Sequence, residues 1–173
     1  MASLKIVFLG LAAAITYGIL HDQVTARLCV EYFTVAHPRI IASQSPALLG
    51  LAWGVVATWW VGLPLGVALA VAARSGHRSP LGVAEVRSSV VGLLLVMALC
   101  AIVAGFVGQQ LAVAGQIGFP SVWAAGVTPE HRPAFIGVWW AHNASYDVGI
   151  LGGLVLCIVT YWRRGRRSRL TSS

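Results

Sequence analysis

"VVGLLLVMALCAIVAGFVG", residues 90–108, runs for nineteen residues without one charged side chain. Crossing the hydrocarbon of a bilayer as a helix takes about 20 such residues. A backbone there has to satisfy its own hydrogen bonds, which a helix does within one segment. The run therefore predicts a membrane-spanning helix over roughly 89–114. Working outward, three more segments have the same character: roughly 2–20 ("ASLKIVFLGLAAAITYGIL"), 47–73, and 134–162, which ends in "GGLVLCIVTYW". The whole chain is 58% hydrophobic and 10% charged, with a mean hydropathy of +0.80. A soluble domain carries about 25% charged residues. The expected fold is all-α: a polytopic membrane four-helix bundle with structured outward-facing loops. It forms a single transmembrane domain over 1–162, followed by a basic cytoplasmic tail, 163–173. Pro64 falls inside the second segment and is expected to kink it.

The formal charge of +7 does not point to nucleic acid, because five of the twelve basic residues sit in "RRGRRSR", 163–169, directly after an apolar segment. A helix anchored at the cytoplasmic surface ends in that way. Four spans put Lys5, Arg74, Arg78, Arg87, Arg163, Arg164, Arg166, Arg167 and Arg169 on one side, and Arg27, Arg39 and Arg132 on the other. The excess assigns both termini to the cytoplasm. The first segment has the positive start of a signal peptide, but the apolar stretch before Ala12–Ala14 is very short, and an uncleaved helix is the preferred reading. Cys29, Cys100 and Cys157 fall in different segments with no CxxC spacing, so packing residues rather than a disulfide framework are expected.

Against this apolar background "YGILHDQVTARLCVEYFTVAHP", residues 17–38, turns abruptly polar. It carries His21, Asp22, Gln23, Arg27, Glu31 and His37. Its β-branched and aromatic content suits a strand, while the i,i+4 spacing of Arg27 and Glu31 suits a helix, so both readings stand for 24–35. The stretch leaves the bilayer on the outward side and is expected to fold back over the helix ends. Depth unites it with other segments. The third span meets Gln109 and Gln110 near its outer end, and the fourth brings Trp139, His142, Tyr146 and Asp147 into its outer half. Trp139, His142, Tyr146 and Gly149 follow i, i+3, i+7, i+10 and share one helix face; Asn143 and Asp147 form a neighbouring i,i+4 strip. Ionisable groups inside a span usually face the bundle interior or water. Asp147 is the clearest such group, with Arg27, Arg132 or His142 as its expected partner.

This outward layer has ordinary explanations: an aromatic belt for the tryptophans, hydrogen-bond glue for the glutamines, an ion network for Asp22, Arg27 and Glu31, a helix C-cap for His21. Three sharper readings compete with them. A metal site would draw on His21, His142, His37 and Asp22, with His131 or Glu31 within reach; histidine with carboxylate suits zinc, copper, nickel or iron. Haem would be held between His21 and His142. A transport path through Asp147, His142 and Tyr146 would need polar residues in the cytoplasmic half, where the sequence supplies almost none. No GxSxG, Walker loop or dinucleotide-binding GxGxxG occurs, and "NAS" at 143–145 lies in the fourth span, where glycosylation is discounted.

"HDQVTAR" (21–27) followed by "VEYFTVAHP" (30–38), with "WWAH" (139–142) before the last helix, resembles a family of small uncharacterised bacterial membrane proteins over roughly residues 10–160. The resemblance implies a four-helix protein of the bacterial inner membrane and adds no catalytic role to any position. The leading functional expectation is a binding or interaction protein whose outward layer recognises a small ligand, a metal or a partner subunit. Gly149 and Gly153 have the spacing that lets helices pack closely within or between subunits. The second expectation is a metal- or haem-binding redox protein or enzyme using His21 and His142; the third is a small transporter. The bilayer is the expected surrounding, a partner subunit or homo-oligomer the expected company, and nucleic acid is not expected.

Overall fold

The structure is a computed structural model and describes residues 1–171. Six α-helices follow in order: α1 (Ala2–Leu28), α2 (Val30–Val35), α3 (Pro46–Val56), α4 (Trp59–Arg74), α5 (Val83–Val113) and α6 (Arg132–Thr171), with single 3₁₀ turns at Ser121–Trp123 and Pro129–His131. No strand occurs among the described residues. Four stretches are long and apolar enough to cross a membrane: α1, α3 with α4, α5, and Pro129–Arg166. Their outer surfaces expose Leu, Val, Ile and Phe, such as Leu95, Leu99, Ile102 and Phe106 on α5. That pattern suits hydrocarbon as the surrounding solvent.

Three boundaries differ from the expectation. α1 does not stop where its apolar run stops at residue 20; it continues through the polar stretch to Leu28. Gly18, Asp22, Thr25 and Ala26 are buried along it, and this i, i+4, i+7, i+8 stripe is helical whatever the polarity of its members. At about 1.5 Å per residue α1 is about 40 Å long, longer than a hydrocarbon layer of about 30 Å. The open choice at 24–35 therefore resolves as helix, interrupted at Cys29, whose φ of −155° is extended.

The second span breaks at Ala57–Thr58, and Pro64 sits inside α4. Val61 N–H bonds the carbonyl of Thr58 at 3.1 Å, one residue short of the regular helical pattern, so the carbonyl of Ala57 is free for another donor. The basic segment after residue 162 is no separate tail at its start, because α6 runs on through Thr171. Arg164 is wholly buried. Its guanidinium donates to the carbonyls of Ala72, Ser75, Arg78 and Ser79, between 2.7 and 3.0 Å. A cation placed on the last carbonyls of a helix satisfies groups that have no intrahelical donor, and here it ties α6 to the end of α4.

α1 packs on α3 and α4, α5 pairs with α6, and the α4–α6 and α1–α5 contacts close the ring, so α1 and α6 face one another across its middle. Close approach makes this possible. A Cβ added at Gly54 would lie 2.5 Å from the backbone of Ile19, and one at Gly50 would lie 2.8 Å from the carbonyl oxygen of Asp22. α3 thus lies with its backbone against α1 at the level of His21 and Asp22. Gly54→Ala is expected to cost about 2 kcal/mol or more, because the α1 backbone cannot yield to the added methyl. Gly92→Ala is the control: its Cβ would meet nothing within 4 Å. Thermal unfolding in mild detergent checks the pair; equal midpoints would contradict this account of the packing.

Candidate metal centre between α1 and α6

His21 and Asp22 come from α1 and His142 from α6, and the three are the described residues that gather as a potential ligand set. Their donor atoms all lie within 4.8 Å of one another. His142 is held at both ring nitrogens: Nδ1 lies 2.9 Å from the carbonyl oxygen of Val138, and Nε2 lies 3.1 Å from Oδ1 of Asp22. A carbonyl only accepts, so Nδ1 carries a proton and donates it. In the neutral ring the remaining lone pair is then on Nε2, facing Asp22. The ring of His21 meets His142 edge-on with centroids 4.5 Å apart and stacks on Tyr17 at 5.7 Å. Its Nε2 is buried without a hydrogen-bond partner.

These groups border a cavity of about 60 Å³ lined also by Tyr17, Thr58, Met97, Ser145 and Tyr146. Tyr17 Oη and Ser145 Oγ are 2.8 Å apart. Tyr146 Oη donates to the Ala57 carbonyl at 2.9 Å, the carbonyl released by the break between α3 and α4. Of the residues expected to share one face of α6, His142 is buried and Tyr146 half-buried against the cavity. The space suits an ion with a small ligand. It does not suit haem: two imidazoles with centroids 4.5 Å apart leave no slot for a porphyrin.

The rest of the polar stretch covers this centre. The α2 ring of Tyr32 lies 4.5 Å from that of His142, and Phe33 lies 5.6 Å from it. His37 is not in the ligand set. Its Nδ1 is 2.9 Å from the Tyr32 carbonyl, and its ring packs on Trp53 at 4.7 Å. Tyr32, Phe33, Trp53, Val127 and Phe135 form one buried cluster at the end of the bundle that α2 covers. Burial pushes the Cys29 thiol up to about 12 and raises the Tyr32 phenol, while it lowers the His37 imidazole. Burial works against the Glu31 carboxylate, but its own backbone N–H and the side chains of His131 and Cys29 outweigh it and hold Glu31 below its usual range.

The remaining candidates lie elsewhere. Gln23 donates to the Ala47 carbonyl at 2.8 Å, and Arg27 donates to the Gln23 carbonyl and side chain, so both brace the outer end of α1. Glu31 pairs with exposed His131 and accepts from Cys29 at 3.3 Å, which pins α2 to the turn before α6. Gln109 and Gln110 are exposed on α5. Trp139 packs on Trp123 at 5.4 Å. Asp147 is exposed in a groove between α5 and α6. None of its expected partners reaches it: His142 bonds Asp22, Arg27 bonds Gln23, and Arg132 bonds the carbonyls of Ala124 and Val127. Tyr32, Trp53 and the Ala57 carbonyl belong to the surroundings of the site and were not among its expected residues. Tyr32 lies in the polar stretch and Trp53 in the outer half of the second span, so shared depth pointed to both, whereas a backbone carbonyl carries no side-chain signal.

No protein-family model matches the chain, and neither does any curated protein or solved structure.

The His37 environment fixes a pH dependence. Its imidazole titrates lower folded than unfolded, so below about pH 6.5 the unfolded chain binds the extra proton and stability falls as pH falls. Glu31 adds its loss further down, as pH drops through its lowered folded value. Unfolding midpoints measured from pH 7.5 to 5 are expected to decline. His37→Gln should flatten that decline, and an unchanged slope would remove His37 from the account.

Proposed function

We propose that the chain is an integral membrane protein that binds a divalent first-row transition metal between α1 and α6, through Nε2 of His21, Nε2 of His142 and the Asp22 carboxylate. The observation that carries the reading is the buried, unpartnered Nε2 of His21 beside a His142–Asp22 pair. A polar atom buried without a partner is costly, and a metal is a partner for which imidazole nitrogen and carboxylate oxygen are the ordinary ligands. His142 also carries the outer support typical of a metal ligand, an Nδ1–H held by a backbone carbonyl. Bonds of about 2.0–2.2 Å draw the three donors somewhat closer than their present spread, a movement within reach of small side-chain rotations.

Two nitrogens and one carboxylate leave coordination positions free, as in catalytic zinc and non-haem iron sites. The free side faces the cavity, where the hydroxyls of Tyr17, Tyr146 and Ser145 stand ready to bond a water or small ligand on the metal. The reading joins the expected binding role of the outward layer to its metal-dependent alternative. The excess of Lys and Arg on the side of the termini supports a cytoplasmic N- and C-terminus. The composition and the sequence resemblance support a bacterial inner membrane as the location. On that topology α2 and the aromatic cluster separate the site from the outer aqueous phase.

Protein purified in mild detergent, without chelator, is expected to carry close to one equivalent of metal by elemental analysis. Cobalt(II) loading should give a visible ligand-field spectrum. His21→Ala and His142→Ala should each lower metal affinity by about 100-fold or more, and Tyr17→Phe should leave it nearly unchanged. Saturating metal at about 100 times its dissociation constant stabilises the fold by about 2.7 kcal/mol, which raises the unfolding midpoint of the wild type and not of His142→Ala. Folded wild-type protein that takes up none of manganese, iron, cobalt, nickel, copper or zinc would overturn the proposal.

A further inference from the structure

We propose that two copies of the chain pair within the bilayer along the seam between α5 and α6, with Asn143 of each copy donating to Asp147 of the other. Asp147 lies fifteen residues into α6 from Arg132 and sixteen short of Arg163. At about 1.5 Å per residue each charged end is about 22–24 Å away, so Asp147 sits near the middle of the span. It is exposed there, as is Asn143 one turn before it. No side chain among the described residues bonds it. Carboxyl groups at such depth are expensive and as a rule face a partner or a water-filled interior; Asp147 has neither among the described residues.

The groove beside it, of about 580 Å³, is lined by Ser89, Gly92 and Val96 of α5 and by Asp147, Leu151 and Val155 of α6. Lipid tails supply nothing that can donate to a carboxylate. A second copy does. A two-fold axis along the membrane normal keeps like residues at like depth and makes each contact twice. The exposed strip holds a donor, the Asn143 amide, and an acceptor, the Asp147 carboxylate, so it complements itself without a basic partner. Four residues set Asp147 about 6 Å in depth from the second copy's Asn143, an offset that polar side chains four residues apart bridge on a helix surface. Gly92 has open space above its Cα, and Leu151 and Val155 offer the ridge that enters the facing groove. The strip lies on the face of α6 turned away from His142, so the pairing does not depend on the metal reading.

The test is single-molecule photobleaching of dye-labelled protein in phosphatidylcholine–phosphatidylglycerol vesicles at falling protein-to-lipid ratios. Wild type is expected to bleach in two steps. Asp147→Leu and Asn143→Leu should each raise the dissociation mole fraction about tenfold, while Asp147→Asn, which keeps an acceptor, should stay close to wild type. Both substitutions face outward, and unchanged unfolding midpoints in detergent confirm that the monomer fold survives. Wild type that bleaches in single steps throughout, or pairing indifferent to Asp147→Leu, would overturn the proposal.

Discussion

Asp22 is a buried carboxyl group inside an apolar bundle, and the rest of the molecule is arranged around meeting it. In water a carboxylate needs no protein partner, whereas away from water it has to be bonded or its burial is prohibitively costly. His142 Nε2 meets it from the opposite helix at 3.1 Å, a bond that needs one proton between the two atoms. That bond fixes the rotation of α1 and α6 about their axes, because each residue has to point at the middle of the ring. It also brings His21, the preceding residue on α1, beside the same imidazole. Two bonded groups and one unbonded nitrogen are then left in a closed space, and this turns a structural contact into a place for an ion.

The contact is reachable because the backbones approach so closely. α3 lies against α1 at Gly50 and Gly54 with no room for a methyl group. Without a hydrophobic force between helices in hydrocarbon, such packing and the polar bonds it permits are what hold spans together. The break at Ala57–Thr58 belongs to the same economy of polar groups. A continuous helix would use the Ala57 carbonyl internally; the interrupted one offers it to Tyr146. At the opposite end of the bundle Arg164 does the converse, taking up carbonyls that the end of α4 leaves open. Both of these open backbone sites are matched by a side chain from α6.

The four spans were legible in the sequence because length and apolarity are all that crossing a bilayer demands, and residues 90–108 meet that demand without ambiguity. The end of α1 was not legible. Apolarity marks where the hydrocarbon stops, while the helix continues as long as its buried stripe of Asp22, Thr25 and Ala26 finds something to pack on. The pairing of His21, Asp22 and His142 was foreseeable as shared depth, since each lies at the same level of its span, but depth does not give rotation. Asp147 shows the difference. It sits one turn or so below His142, yet about 140° around the helix for five residues at 3.6 per turn, and it is exposed. Arg164 was hidden for another reason: within "RRGRRSR" nothing distinguishes the arginine that turns inward from those around it.

α6 therefore carries two polar strips with opposite assignments. The strip through His142 and Tyr146 is answered within the chain, by Asp22 and by the Ala57 carbonyl. The strip through Asn143 and Asp147 is answered by nothing among the described residues, though it runs through the same depth of the same helix. The cost of leaving a carboxyl group unmet in hydrocarbon does not depend on which face carries it. If that cost shapes the interior closely enough to break one helix and cross-link another, it acts equally on the outside. A single span that is self-satisfied on one face and self-complementary on the other is what a two-fold assembly built on α6 requires: the first strip completes the monomer, and the second is the one the proposed pairing uses.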